Sequence, residues 1–255
     1  MPRPLNRAAA VGFERAADAY ERGRPTYPDD VVEWLCTGLD IAPGRAVVDL
    51  AAGTGKLTRL LAARGADLIA VEPVVAMRSR LERELDGVRV LTGTAEAIPL
   101  EDESVDAVTV GQAFHWFDLA AATAEIHRIL RPGGGLGLVW NERDTSVEWV
   151  AELSRIIRWD ERDRWQVPYT VEVDWAARFA EEVTGFGSME RFDSGHRQAL
   201  DRATLIDRVL STSYVAAGTD EERERIERQV LDLVADFPER FELPYVTISY
   251  RCRRI

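Results

Sequence analysis

At 255 residues and 28.6 kDa the chain is long for one small core and short for two comfortable domains. Its 46% hydrophobic and 30% charged composition is that of a globular protein with a sizeable core, which excludes disorder and collagen-like repeats. Against 32 Lys and Arg stand 44 Asp and Glu, a net charge of −12 with a pI near 4.9, which repels polyphosphate and anionic lipid and excludes nucleic acid as a default partner. Cys36 and Cys252 show no CxxC spacing, so neither a disulfide framework nor a zinc site is expected. Charge interrupts residues Met1 to Tyr20 before an apolar run reaches leader length, and no stretch approaches the roughly 20 apolar residues of a membrane span; a cytoplasmic protein is expected.

Through the first 140 residues, apolar runs of strand length alternate with helical-period segments, the signature of a parallel sheet covered by helices on both faces. After a helical lead-in, Pro25 and Pro28 break the chain, Val31 to Gly38 reads as a short helix, and Ala42-Pro43-Gly44 turns into the strand Ala46 to Leu50. A helix from Lys56 to Ala63, the strand Leu68 to Val71, a helix from Pro73 to Leu85 and the strand Val88 to Leu91 complete a βαβ unit. Val105 to Val110 is the next strand. Leu119 to Leu130 is a helix ended by Arg131-Pro132-Gly133-Gly134-Gly135, and Leu136 to Trp140 the strand after it.

Beyond Trp140 the rhythm changes. The segment Ser146 to Asp160 places Val147, Val150, Leu153 and Ile157 on one helical face, and Trp149, Trp159, Trp165 and Trp175 crowd the same region, read as an insertion packed over the sheet. Gly187 to Phe192 and Tyr245 to Tyr250 read as closing strands, with helices from Arg202 to Tyr214 and Glu221 to Ala235 between them.

The sharpest chemical signal is Val47-Val48-Asp49-Leu50-Ala51-Ala52-Gly53-Thr54-Gly55-Lys56, a strand running into a glycine turn and then a helix. Gly53 and Gly55 let the backbone approach a ligand closely, and Asp49 at the strand end receives a cationic or hydroxylated group. Glu72 ends the second strand, where a carboxylate accepts hydrogen bonds from ribose hydroxyls; the alternative is an ordinary helix N-terminal acid beside Pro73. A P-loop is excluded, because the earlier glycine is missing and the following hydroxyl falls at Thr58. A dinucleotide site is disfavoured by Ala51, where its fingerprint begins with Gly, and by Asp49, from which a pyrophosphate gains nothing. A carboxylate there suits a ligand carrying an amino group.

With these pieces in order, the sequence resembles the class I S-adenosylmethionine-dependent methyltransferases. Within them it resembles the type 11 group, which includes enzymes similar to trans-aconitate and juvenile-hormone-acid methyltransferases. The resemblance covers residues 13–140. It rests on Asp49 to Gly55, Glu72-Pro73, Gly93-Thr94-Ala95-Glu96-Ala97-Ile98-Pro99, Ser104 to Val108, Ala113-Phe114-His115-Trp116-Phe117 and Leu130-Arg131-Pro132-Gly133-Gly134. It implies an α/β fold: a doubly wound, mostly parallel, Rossmann-like seven-stranded sheet with helices on both faces, an antiparallel last strand and a helical insertion or cap. One domain is expected, with a lid at 1–30, a cofactor core at 40–141, a helical cap at 142–185, and C-terminal helices and closing strands at 186–255.

The resemblance also implies S-adenosyl-L-methionine as cofactor and S-adenosyl-L-homocysteine as product. Asp49, Ala51, Gly53 and Gly55 would form the cofactor loop, Glu72 and Pro73 the ribose site, and Thr94, Ala95 and Glu96 would lie along the adenine. Many relatives carry Asp where this chain has Thr94, and the wider superfamily usually has Gly where it has Ala51. Phe13, Tyr20, Arg24, Pro25 and Tyr27 resemble the group's FxxxAxxYxxxRPxYP lead-in, which implies a lid with Arg24 paired to the methionine carboxylate; simple packing of that helix on the domain is the alternative. Gln112, His115 and Trp116 follow the fourth strand, at the edge where a doubly wound sheet opens its crevice.

Methyl transfer from a sulfonium is an in-line displacement with a good leaving group, so alignment and water exclusion supply most of the catalysis. The leading expectation is a methyltransferase acting on an O (carboxylate or hydroxyl) or N of a small-molecule metabolite, as a monomer or homodimer. A carboxylate acceptor needs no proton removed. For an alcohol, phenol or amine, His115 is the candidate base, with Gln112 or the Trp116 N–H orienting the acceptor. The Trp-rich segment from Trp140 to Trp175, with Tyr169, is either an apolar acceptor wall or core packing. His127 and His196 read as structural or solvated. Two other classes stay open: a protein that binds the cofactor without methylating, and a nicotinamide oxidoreductase supported by fold analogy alone.

Overall fold

A computed structural model describes residues 19–158 and 173–255. Phe13, Trp159, Trp165 and Tyr169 lie outside the described residues. The strands are β1 (Ala46–Leu50), β2 (Asp67–Val71), β3 (Arg89–Leu91), β4 (Val105–Gly111), β5 (Leu130–Arg143), β6 (Glu190–Leu200) and β7 (Phe241–Arg253). Among the described residues they form one seven-stranded sheet in the order β3-β2-β1-β4-β5-β7-β6. β1 to β5 pair in parallel, and β7 runs antiparallel to both β5 and β6. The strand order reverses between β1 and β4, which opens a crevice at their carboxyl ends.

The helices are α1 (Asp29–Leu39), α2 (Lys56–Ala62), α3 (Val75–Glu84), α4 (Leu119–Ile129), α5 (Glu148–Ile156), α6 (Trp175–Glu182), α7 (Arg202–Leu210), α8 (Ser213–Ala216) and α9 (Asp220–Leu233). α1 follows Pro28, carries Asp29 and Asp30 in the first turn, where they oppose the helix dipole, and stops where Asp40 takes φ 56°. It buries Val31, Val32, Leu35 and Leu39 against the sheet, each worth about 1.5–3 kcal/mol relative to exposure. On that face α1 and α2 cover Val47, Ala107 and Val139; on the other, α4 and α6 cover Val48, Val108, Leu138 and Trp140.

Two strand boundaries differ from expectation for identifiable reasons. β5 begins at Leu130, straight after α4, and not at Leu136. Its glycines are packing choices as well as turn residues: a Cβ on Gly135 or Gly137 would meet Leu39 at 2.5 or 2.7 Å, so they let α1 lie directly on the strand. β6 lies at Glu190–Leu200, not Gly187 to Phe192. Its alternation is real, with Phe192, Ser194, His196 and Gln198 half-buried and their neighbours exposed, but the inward residues are mostly polar, so a hydrophobic pattern does not reveal them.

The described tryptophans do not form one wall. Trp140 and Trp175 are 2% and 3% exposed and stack on each other at 5.6 Å inside the sheet's core. Trp149 belongs to a separate cluster, edge-on to Phe237 and Phe241. That cluster joins α5, α7, α8 and α9 around the extended ends of β5 and β7, and it sits over the carboxyl edge of the sheet.

Candidate active site

At the switch point a cavity is lined by the ends of β1, β4 and β5, the turn after β1, the lead-in and α7. Asp49, next to last on β1, is 1% exposed. Its carboxylate accepts from Thr58 Oγ1 of α2 at 2.6 Å and from Thr109 Oγ1 of β4 at 3.4 Å. Burial pushes its pKa up to about 7 despite these hydrogen bonds. Ala51, Gly53 and Gly55 all take positive φ, at 55°, 59° and 86°. Gly55 is the N-cap of α2, and a Cβ there would meet Leu85 at 2.9 Å. A Cβ on Gly53 would meet nothing closer than Met77 Sδ at 3.7 Å, so that turn has open space above it.

Glu72, 3% exposed, holds the turn from the next strand. One carboxylate oxygen accepts from Gly53 N and the other from Val74 N, both at 2.8 Å. Burial raises its pKa while these two backbone donors oppose the shift. A carboxylate has about four acceptor positions, so two remain for ligand hydroxyls.

The lead-in crosses the cavity. Arg22 pairs with Asp207 of α7 at 2.6 Å, Lys56 Nζ donates to Glu21 O at 2.8 Å, and Asn141 Nδ2 donates to Thr26 O at 3.0 Å. Gly23 is required where it approaches α7, because a Cβ there would stand 2.3 Å from Arg208 N. Tyr20 and Arg24 both line the cavity; the Arg24 guanidinium stacks 5.0 Å from the Tyr20 ring centre and donates to Ser211 Oγ and Ser211 O. Burial lowers Arg24 to about 10 and raises Tyr20.

Six of the expected residues therefore surround one cavity: Tyr20, Arg24, Asp49, Ala51, Gly53 and Gln112. Gln112, at φ 60°, donates from Nε2 to Asn141 O at 3.2 Å. Glu72 adjoins the cavity through Gly53, with Pro73 beside it. Thr94, Ala95 and Glu96 are not on its lining: Ala95 is core, Glu96 accepts from Asp118 N at 3.0 Å, and Thr94 Oγ1 is buried with no partner among the described residues.

His115 and Trp116 form a short 3-10 turn behind the site. Trp140 Nε1 donates to His115 Nδ1 at 3.1 Å. An indole nitrogen only donates, so the basic lone pair of the neutral imidazole is already engaged, and the general-base role expected for His115 does not fit this geometry. Trp116 packs against the cap cluster.

Sequence reasoning missed Asn141 and Arg208, both on the cavity lining. Each had a signal: Asn141 ends an apolar strand with an amide, and Arg208 puts a charge beside Val209 and three residues from Leu205 on the buried face of α7.

A doubly wound sheet with a buried acid at the end of β1 and a second acid fixing the glycine turn defines a Rossmann-like α/β domain. A methyltransferase domain family model matches residues 48–138. The chain is similar to an uncharacterized methyltransferase of Mycobacterium tuberculosis, 42% identical over 253 residues and 96% of each chain. It is also similar to an uncharacterized methyltransferase-like protein of Schizosaccharomyces pombe, 34% identical over 93% of each. Among solved structures, a putative type II methyltransferase from Anaeromyxobacter dehalogenans matches with a TM-score of 0.62 at 23% identity, over 91% of this chain and 97% of that one. A phosphoethanolamine N-methyltransferase 2 of Haemonchus contortus, solved with phosphomonomethylethanolamine and S-adenosylhomocysteine, matches at 0.59 and 14% identity, over 94% of this chain and 57% of that one. The chain belongs to the methyltransferase family.

Proposed function

We propose that this chain transfers the methyl group of S-adenosylmethionine to an oxygen or nitrogen of a small-molecule acceptor. The observation that carries the reading is the polarity of the cavity: the buried Asp49 carboxylate and the Arg24 guanidinium line the same space, a match for the ammonium and carboxylate of an amino-acid moiety. Glu72, with acceptor capacity left over, suits ribose hydroxyls, and the partnerless Thr94 Oγ1 suits a polar group of the base. The Haemonchus contortus structure, with the same fold and S-adenosylhomocysteine bound, supports that cofactor.

When bound, the cofactor supplies a methyl group activated by its sulfonium, with a neutral thioether as leaving group. The protein binds, aligns and excludes water. Asp49 anchors the ammonium, Arg24 the carboxylate, and Glu72 fixes the turn and accepts from the ribose. Tyr20, Arg24 and Pro25 cover the cavity, so an acceptor must be small enough to share it, which with the net charge of −12 disfavours nucleic acid. With Nδ1 of His115 engaged by Trp140, an acceptor needing no proton removed fits this site best. Calorimetric titration with S-adenosylmethionine, S-adenosylhomocysteine and NADH tests the reading. Micromolar binding of the first two alone is expected; binding of NADH, or of none of them, overturns it.

A further inference from the structure

The cavity is more basic than an amino-acid moiety requires. Arg208 lines it beside Arg24, and Arg143 stands two residues beyond Asn141 on β5, cross-strand from Tyr245. The three guanidiniums act on one another: burial and then Arg208 lower both Arg24 and Arg143 to about 10. Tyr214, Tyr245 and Glu142 act on Arg143 in the opposite sense. Arg208 is 5% exposed and its Nε donates to the Tyr245 hydroxyl at 2.9 Å. Its Nη1 is buried with no hydrogen-bond partner among the described residues. His196, stacked on Tyr245 at 5.3 Å, likewise leaves Nε2 buried without a partner among them.

Burying a guanidinium with an unused donor is costly unless an anion completes it. The cofactor of the proposed reaction does not do so. Its carboxylate offsets Arg24, and its ammonium and sulfonium bring two positive charges that the carboxylates of Asp49 and Glu72 at most balance. Arg208 is left without an anion.

We infer that the methyl acceptor carries an anionic oxygen group, a carboxylate or a phosphate, held by Arg208 on the cavity lining, with Arg143 of β5, which does not line the cavity, adding positive charge. This rests on the methyltransferase reading above and adds the acceptor's chemical class to it. Arg208 orients the acceptor and rejects neutral analogues, because a neutral group leaves its Nη1 unpaired.

The test uses full-length protein saturated with S-adenosylhomocysteine in a zwitterionic buffer. It is titrated calorimetrically with succinate, citrate, inorganic phosphate and, as a neutral control, succinamide. At least one anion is expected to bind, with succinamide at least tenfold weaker and each of Arg143→Gln and Arg208→Gln reducing anion affinity tenfold or more. Arg143 does not line the cavity, so Arg143→Gln keeps its S-adenosylhomocysteine affinity, which shows that the variant is folded. Dicarboxylate binding without phosphate assigns a carboxylate acceptor, and the reverse a phosphorylated one. Equal binding of succinamide and succinate, no anion binding, or unchanged anion affinity in Arg143→Gln overturns the inference while leaving the cofactor reading intact. Failure of S-adenosylhomocysteine to bind the wild type overturns both.

Discussion

The cavity has two walls of opposite charge, and they are finished to different degrees. On the β1–β2 side, the buried carboxylates of Asp49 and Glu72 each receive two hydrogen bonds from groups fixed by the fold: two threonine hydroxyls in one case, two main-chain amides in the other. On the β5–β7 side, Asn141, Thr247 and His196 form a chain with contacts of 2.6 and 3.1 Å, yet Arg208 beside it leaves a nitrogen unpaired among the described residues. The acidic wall is preorganised for a ligand whose shape is constant. The basic wall keeps donor capacity in reserve, as suits a group that arrives only with the second substrate.

The largest effect that would sharpen this contrast is at Asp49. Its folded pKa of about 7 stands above the 3.8 of a free aspartate, so the native state favours the protonated form. The stability this contributes is full below pH 3.8, and it is lost as pH rises from there through 7. Asp49→Asn removes that loss and is expected to stabilise the ligand-free protein at pH 8 by up to about 4 kcal/mol. The same change removes the anion that meets the ligand's ammonium, so affinity for S-adenosylmethionine should fall a hundredfold or more. In the wild type, that affinity should rise as pH increases through 7 and level off above it, with proton release on binding at pH 6 readable by calorimetry in two buffers. A pH-independent affinity, or an Asn variant that binds as tightly as the parent, would break the assignment of Asp49 to a cation.

Glu72→Ala comes next. It frees the Gly53 and Val74 amides, both bonded to a buried carboxylate, and should cost about 3 kcal/mol of stability by chemical denaturation together with most of the cofactor affinity. Glu72→Gln keeps one acceptor and should fold nearly normally while binding at least tenfold more weakly. Normal binding by the Gln variant would reduce Glu72 to a structural brace of the turn and take it out of the ribose site.

The two walls also differ in how far they can be read from residue order. The acidic wall is local: Asp49, Ala51, Gly53 and Gly55 fall within seven consecutive residues, and their spacing alone says strand, turn and helix. The basic wall is assembled from residues far apart in sequence: Arg24 and Arg208 on the lining, and near them Arg143, which the antiparallel pairing of β5 with β7 sets opposite Tyr245, the hydrogen-bond partner of Arg208. Nothing in the spacing of three arginines in a chain of 255 residues announces that pairing. His115 shows the same limit: its position after β4 is legible, but the indole that engages its Nδ1 comes from β5. The Trp-rich segment from Trp140 to Trp175 stayed open between acceptor wall and core packing, because aromatic crowding in sequence carries no information about which ring faces solvent; Trp140 and Trp175 are core.

The smallest effect concerns the one residue of the turn that departs from the glycine usual there. Ala51 is held at φ 55°, a left-handed conformation that costs a residue with a Cβ about 1 kcal/mol. Ala51→Gly relieves that strain but gives the unfolded chain more freedom, a loss of about 0.4–1 kcal/mol, so the two terms nearly cancel. Ala51 also lines the cavity, and deleting its methyl group leaves the hydrogen bonds of Asp49 and Glu72 untouched. Unfolding free energy should therefore move by less than about 1 kcal/mol and cofactor affinity by less than threefold. A β-branched residue has no such freedom at this φ, and Ala51→Val should destabilise the protein and weaken cofactor binding together. If Ala51→Gly instead tightens binding tenfold, the turn is holding strain that the ligand releases, and the acidic wall is less preorganised than its hydrogen bonds indicate.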